Sequence, residues 1–144
     1  MSIPTIRVSV PSGKLAARTA LAELKAGLAP LALDVEETST VELVIAEVLN
    51  NICEHAYEEA EDAGPIDVTC THGEDGLRFV IMDQGHAMPD GKTPLGMEAD
   101  LDVDVMDLPE GGFGWFLIQD LAKDVVYRRV GDANRLWLRI AVAM

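Results

Sequence analysis

Residues 5–10 alternate, with Ile6, Val8 and Val10 on one side and Thr5, Arg7 and Ser9 on the other. That is the two-residue period of a half-buried strand. Pro11-Ser12-Gly13 ends it, and Ser12 stands where it can cap a helix running to about Leu28. Asp34 or Ser39 opens the next helix. There Val41, Val44, Ile45, Val48, Leu49 and Ile52 recur at three- and four-residue steps, so an amphipathic helix is expected to continue to about Ala60. Asp62–Pro65 breaks it. Ile66–Thr71 and Leu77–Met82 read as an antiparallel hairpin around the turn His72-Gly73-Glu74-Asp75-Gly76. Asp83 to Gly112 is irregular and holds Gly85, Pro89, Gly91, Pro94, Gly96 and Pro109; a connection of that length has the character of a lid or binding loop. Phe113–Lys123 reads as a helix, and Val125–Val130 and Arg135–Val142 as strands around Gly131-Asp132-Ala133-Asn134. Helices gathered between antiparallel hairpins predict a two-layer α/β (α+β) sandwich, with a mixed, largely antiparallel sheet and its helices on one face.

The chain has 144 residues, which suits a single domain over 1–144. Its formal net charge is −14, and a surface that acidic repels nucleic-acid phosphates and anionic lipid. A protein partner with a basic patch fits better. Met1 to Val10 lacks the basic start and long apolar run of a signal peptide. No apolar stretch approaches the roughly 20 residues of a membrane span. Cys53 and Cys70 are too few for a disulfide framework, so a soluble, cytoplasmic, reduced protein is expected.

Chemistry can reside in three patches. Glu47 and Asn51 are four apart and share a helix face displaced from the apolar stripe, so they are expected to look toward a cleft or solvent. An Asn oxygen can ligate Mg²⁺ and a Glu can take a proton from an attacking hydroxyl; taken alone, the pair also fits an ordinary polar helix face. Asp83-Gln84-Gly85 follows an apolar strand, where a carboxylate can meet an adenine amino group and a glycine lets a flat base lie close; alone, it also fits a strand-ending turn. In Glu110-Gly111-Gly112-Phe113-Gly114-Trp115-Phe116-Leu117-Ile118, glycines lead into an apolar helix. The exposed backbone N–H groups of such a start form a phosphate site, although a flexible hinge has the same composition.

In this order and spacing, Glu47-x-x-x-Asn51, Asp83-x-Gly85 and Gly112-x-Gly114 resemble the N, G1 and G2 boxes of the Bergerat-fold (GHKL) ATPases. Glu47…Asn51-x-x-x-His55-Ala56-Tyr57, the run Gly111–Ile118 and Asp124-x-Val126 are similar to the anti-sigma-factor serine kinase branch. The resemblance implies the Bergerat ATP-binding fold, with ATP and Mg²⁺ as cofactors. It implies that Asn51 holds Mg²⁺, that Glu47 is general base on a partner's serine, and that Asp83 recognises adenine beside Gly85. Gly112 and Gly114 would give backbone contacts to the phosphates, under a lid from about Gln84 to Glu110. It further implies an anti-anti-sigma (STAS) protein as phosphorylated partner, a sigma factor as competing partner, and a homodimer. Two departures stand out. Ala87 takes the place of a further glycine, and the lid carries Lys92 as its one base among Glu98, Asp100, Asp102, Asp104, Asp107 and Glu110. The acidic lid keeps open a non-catalytic ATP- or ADP-binding module that sequesters a partner. The catalytic half of a histidine kinase would need a phosphoacceptor on a separate chain.

Other patterns fall short. Asp100-Leu101-Asp102-Val103-Asp104 begins like an EF-hand, but Val105 and Gly111 stand where Gly and Glu are needed. Cys53, His55, Cys70 and His72 follow no zinc spacing. His55 is read as a packing or hydrogen-bonding residue.

Overall fold

A computed structural model describes residues 3–13, 15–53, 64–84, 118–131 and 133–142. The alternating segments form five strands: β1 (Ile6–Pro11), β2 (Pro65–Gly73), β3 (Gly76–Asp83), β4 (Lys123–Val130) and β5 (Ala133–Ile140). They make one sheet in the order β1-β2-β3-β5-β4, and every described pairing is antiparallel. Two helices, α1 (Ala16–Leu28) and α2 (Val35–Asn51), lie between β1 and β2 in the chain. Residues 118–121 are helical, inside the expected Phe113–Lys123 helix.

The sheet has one apolar face, as strand alternation requires. Val8 and Val10, Ile66, Val68 and Cys70, Leu77, Phe79 and Ile81, and Leu136, Leu138 and Ile140 are all buried. Against them α1 lays Ala16, Ala20, Leu24 and Leu28, one residue per turn, and α2 lays Val41, Val44, Ile45, Val48 and Leu49. The helices thus cover one face only. The other face collects bases: by strand register it carries Arg7, Arg78, Lys123, Arg128, Arg135 and Arg139, more than half of the eleven in the chain.

Two local readings need correction. Ser12 does not cap α1. Its backbone N–H donates to the Gly64 carbonyl (3.1 Å), Gly13 turns the chain at φ +146°, and the N-cap is Leu15, with no side-chain cap bond. The β2–β3 turn is also tighter than expected. Gly73 pairs with Gly76, leaving Glu74 and Asp75 as the turn. Gly76 has φ +122°, and a Cβ there would meet the Ile140 carbonyl oxygen at 2.3 Å, so only glycine fits where this turn crosses β5. Asp75 is paired with Arg78; that guanidinium holds the Asp75 carboxyl below the usual carboxylate range. Arg139 Nη1 donates to the Asp75 carbonyl (2.9 Å) and Arg139 Nε to Asp124 (2.9 Å). Asp124 sits at φ 53°, in the register shift between Lys123 and Val126, so the irregular start of β4 is pinned to β5.

Candidate functional site

α2 begins with a capping box. The Asp34 carboxylate accepts from the Glu37 N–H (2.7 Å), and Glu37 accepts from the Asp34 N–H (3.0 Å). This fixes the helix register and, with it, the position of Glu47 and Asn51. Glu47 is half-buried, whereas Asn51 is only 5% exposed. The open polar face expected for the pair therefore holds at most for Glu47; Asn51 lies at the edge of the buried stripe, beside Ile52. Asn51 Nδ2 donates to the Glu47 backbone carbonyl (2.8 Å). With its donor end committed to the helix, the amide turns Oδ1 away from that carbonyl. A carboxamide oxygen beside a carboxylate is the hard donor chemistry that suits Mg²⁺, so these two side chains fit the cation by donor type.

Asp83 ends β3 and is 4% exposed. It faces Asn134 across β3–β5, and Asn134 faces Arg129 across β5–β4. The three form a polar row at the end of the otherwise apolar sheet face. Asn134 Nδ2 donates to Asp83 Oδ1 (2.8 Å). Asn134 Oδ1 accepts from the Tyr127 hydroxyl (2.6 Å) and from Arg129 Nη1 (3.0 Å). Burying a carboxylate and an amide is costly unless they are hydrogen-bonded, and this chain of donors meets that need. A small cleft opens there, with Val48 and Ile52 of α2 on one side and Ile81, Asp83, Tyr127 and Asn134 on the other. It is a narrow, mostly apolar crevice with room for about one water molecule, and at its end stand the Asp83 carboxylate, which can accept from an amino group, and the Asn134 amide. Among the described residues its walls do not include Glu47 or Asn51, which sit on the adjoining part of α2.

Gly85, Gly112 and Gly114 lie outside the described residues, as do His55, the continuation of α2 toward Ala60, the EF-hand-like run and nearly all of the expected lid. Asn134, Tyr127 and Arg129 were not singled out from sequence. The register of the last hairpin carries the missing signal, because it sets Asn134 beside the end of β3. Cys70 is packed in the core and Cys53 is bonded to the Gly13 backbone. Among the described residues no three His, Cys, Asp or Glu side chains converge as metal ligands, and no helix is long and apolar enough to cross a membrane.

The antiparallel sheet covered on one face by helices is a fold shared with solved structures. The histidine kinase-like ATPase domain profile matches residues 10–140, and the chain belongs to that family. Within it, the chain is similar to the serine-protein kinase RsbW of Staphylococcus aureus strain bovine RF122 / ET3-1. The two are 33% identical over 101 residues, 68% of this chain and 61% of that protein; the protein of strain Newman gives the same figures. The chain therefore spans less than two thirds of these relatives. Among solved structures, the RsbU and RsbW domains of Rv1364c from Mycobacterium tuberculosis share the fold with a TM-score of 0.68 at 19% identity, covering 98% of this chain and 33% of that one. The histidine kinase domain of the Erythrobacter litoralis EL346 blue-light activated histidine kinase does so with a TM-score of 0.55 at 16% identity, over 92% of this chain and 65% of that one.

Proposed function

We propose that this chain is an ATP-dependent serine/threonine protein kinase acting as an anti-sigma factor. It phosphorylates an anti-anti-sigma (STAS) protein, sequesters a sigma factor, and works as a cytoplasmic homodimer of one domain over 1–144. The observation that carries the reading is the pairing of Glu47 and Asn51 one turn apart on α2, next to the slot that ends at Asp83. The similarity to proteins named serine-protein kinases supports the choice of branch.

On this reading Asp83 accepts the adenine amino group, and Gly85 lets the base settle. The backbone N–H groups at Gly112 and Gly114 hold the triphosphate end, against which Asn51 Oδ1 would hold Mg²⁺. Glu47 takes the proton from the attacking serine hydroxyl, and general-base help of this kind contributes about 10²–10⁴-fold in rate. Mg²⁺ bound at Asn51 would supply charge neutralisation on the phosphates. The rest of catalysis is positioning. The base-poor, acidic stretch from Glu98 to Glu110 favours a second reading, a nucleotide-binding module that sequesters its partner without phosphorylating it.

Calorimetry with ATP and ADP, with and without Mg²⁺, tests the nucleotide site. Wild type should bind, Asp83→Asn should weaken binding roughly 30-fold through loss of a charged hydrogen bond, and Asn51→Ala should lose the Mg²⁺ dependence. Phosphoryl transfer to a purified STAS partner then separates the two readings. Transfer by wild type that drops about 10²-fold or more in Glu47→Gln supports the kinase. Tight nucleotide binding with no transfer supports the sequestering module.

A further inference from the structure

The hydrogen bonds that join Asn134 to Arg129, Tyr127 and Asp83 are possible in one sense only. Arg129 has donors and no acceptor, so the Asn134 atom that meets its Nη1 at 3.0 Å must be the amide oxygen. The Tyr127 hydroxyl reaches the same oxygen at 2.6 Å. With both donors on Oδ1, the amide nitrogen is forced toward Asp83, where it meets Oδ1 at 2.8 Å. A flipped amide would set –NH₂ against a guanidinium and a carbonyl-type oxygen against a carboxylate. Asp83 and Asn134 are each 4% exposed, so water cannot cheaply repair that arrangement.

We propose that Arg129 and Tyr127 are an orientation lock. They fix the Asn134 amide, Asn134 fixes the Asp83 carboxylate as an acceptor, and Asp83 thereby favours a purine with an exocyclic amino group over one with an oxo group at that position. Arg129 and Asn134 are positioning residues, acting on the base through Asp83. The inference rests on the reading of Asp83 as the base-recognising residue and adds what sets its selectivity. Arg129 is exposed, so it can be replaced with little risk to folding.

The test compares wild type with Arg129→Met, which keeps the side-chain length and removes the donors, and with Arg129→Lys, which restores a donor. Tyr127→Phe removes the second donor, and Arg128→Met makes the same change in net charge on the opposite sheet face. Two signals are read: the Asn134 side-chain amide resonances by ¹⁵N NMR, and calorimetric affinities for ATP and for inosine triphosphate, its 6-oxo counterpart. Arg129→Met should broaden or shift the Asn134 amide pair and cut the ATP-to-inosine-triphosphate affinity ratio about tenfold, the worth of one charge-assisted hydrogen bond. Tyr127→Phe should shift it in the same direction, Arg129→Lys should recover most of it, and Arg128→Met should leave it alone. An unchanged Asn134 amide and an unchanged ratio in Arg129→Met sink the lock, as does an equal loss for both nucleotides or an equal effect of Arg128→Met. Wild type that binds neither nucleotide overturns the assignment of Asp83 itself and the selectivity with it. Wild type that binds both equally overturns the selectivity alone.

Discussion

Cys70 lies on the core face of β2 with none of its surface exposed, and burial pushes its thiol from 9.0 up to about 12. An acid whose folded pKa is raised keeps its proton in the native state after the unfolded chain has lost it. Between pH 9.0 and about 12 the unfolded state therefore binds fewer protons, and stability falls as pH rises through that window, by at most about 1.4 kcal/mol per unit. Urea titrations at pH 8, 9.5 and 10.5 should show a steeper alkaline loss in wild type than in Cys70→Ala. Parallel pH slopes for the two would show that this thiol is not the source. The same scale shows what sequence reading could reach. Glu47, Asn51 and Asp83 can be singled out as candidates because their spacing along the chain is local to one helix or one strand end. The burial of Asn51 and the hydrogen bond from Asn134 to Asp83 cannot be read that way. Both depend on which strand lies beside which, and β3 meets β5 only after about fifty residues of intervening chain.

Among the elements, α2 has the clearest sequence signature and the clearest local reason to form. Asp34 and Glu37 close a reciprocal capping box, which satisfies backbone donors that have no partner inside the helix. Asp34→Ala should cost about 1 kcal/mol, visible as a lower urea midpoint at unchanged slope. A loss well below that would mean the buried stripe alone holds the helix in register. α1 was legible in extent but not in its start. Ser12 is the nearest residue of the capping type, but the turn at Gly13 and the backbone tie to Gly64 leave it before the helix, whose N-cap is Leu15. A side chain's capping propensity is local, whereas its use depends on a contact fifty residues away. The hairpins were read correctly as hairpins, with ends displaced by one to two residues, because strand alternation fixes the face but not the last paired residue.

At the scale of the molecule, the charge is segregated rather than merely negative. The net charge is −14, yet six bases stand on the open sheet face, while α1 and α2 carry Glu23, Glu36, Glu37, Glu42 and Glu47 against Arg18 and Lys25. Among the described residues these two helices are therefore net acidic where the open sheet face gathers bases, and the proposed triphosphate site borders α2. Two consequences can be separated by thermal melting. Raising NaCl from 0.05 to 0.5 M shortens the screening length from roughly 14 Å to 4 Å, which should raise Tm by a few degrees, since about 1 kcal/mol moves Tm by about 2–4 °C in a domain of this size. Mg-ATP at matched ionic strength should raise it further, because ligand at 100 times its Kd adds about 2.7 kcal/mol. Asp83→Asn, melted in the same series, should keep the NaCl response and lose most of the Mg-ATP increment. If NaCl alone reproduces the whole Mg-ATP shift, the nucleotide is acting as an ion, and the slot at Asp83 has no claim to it.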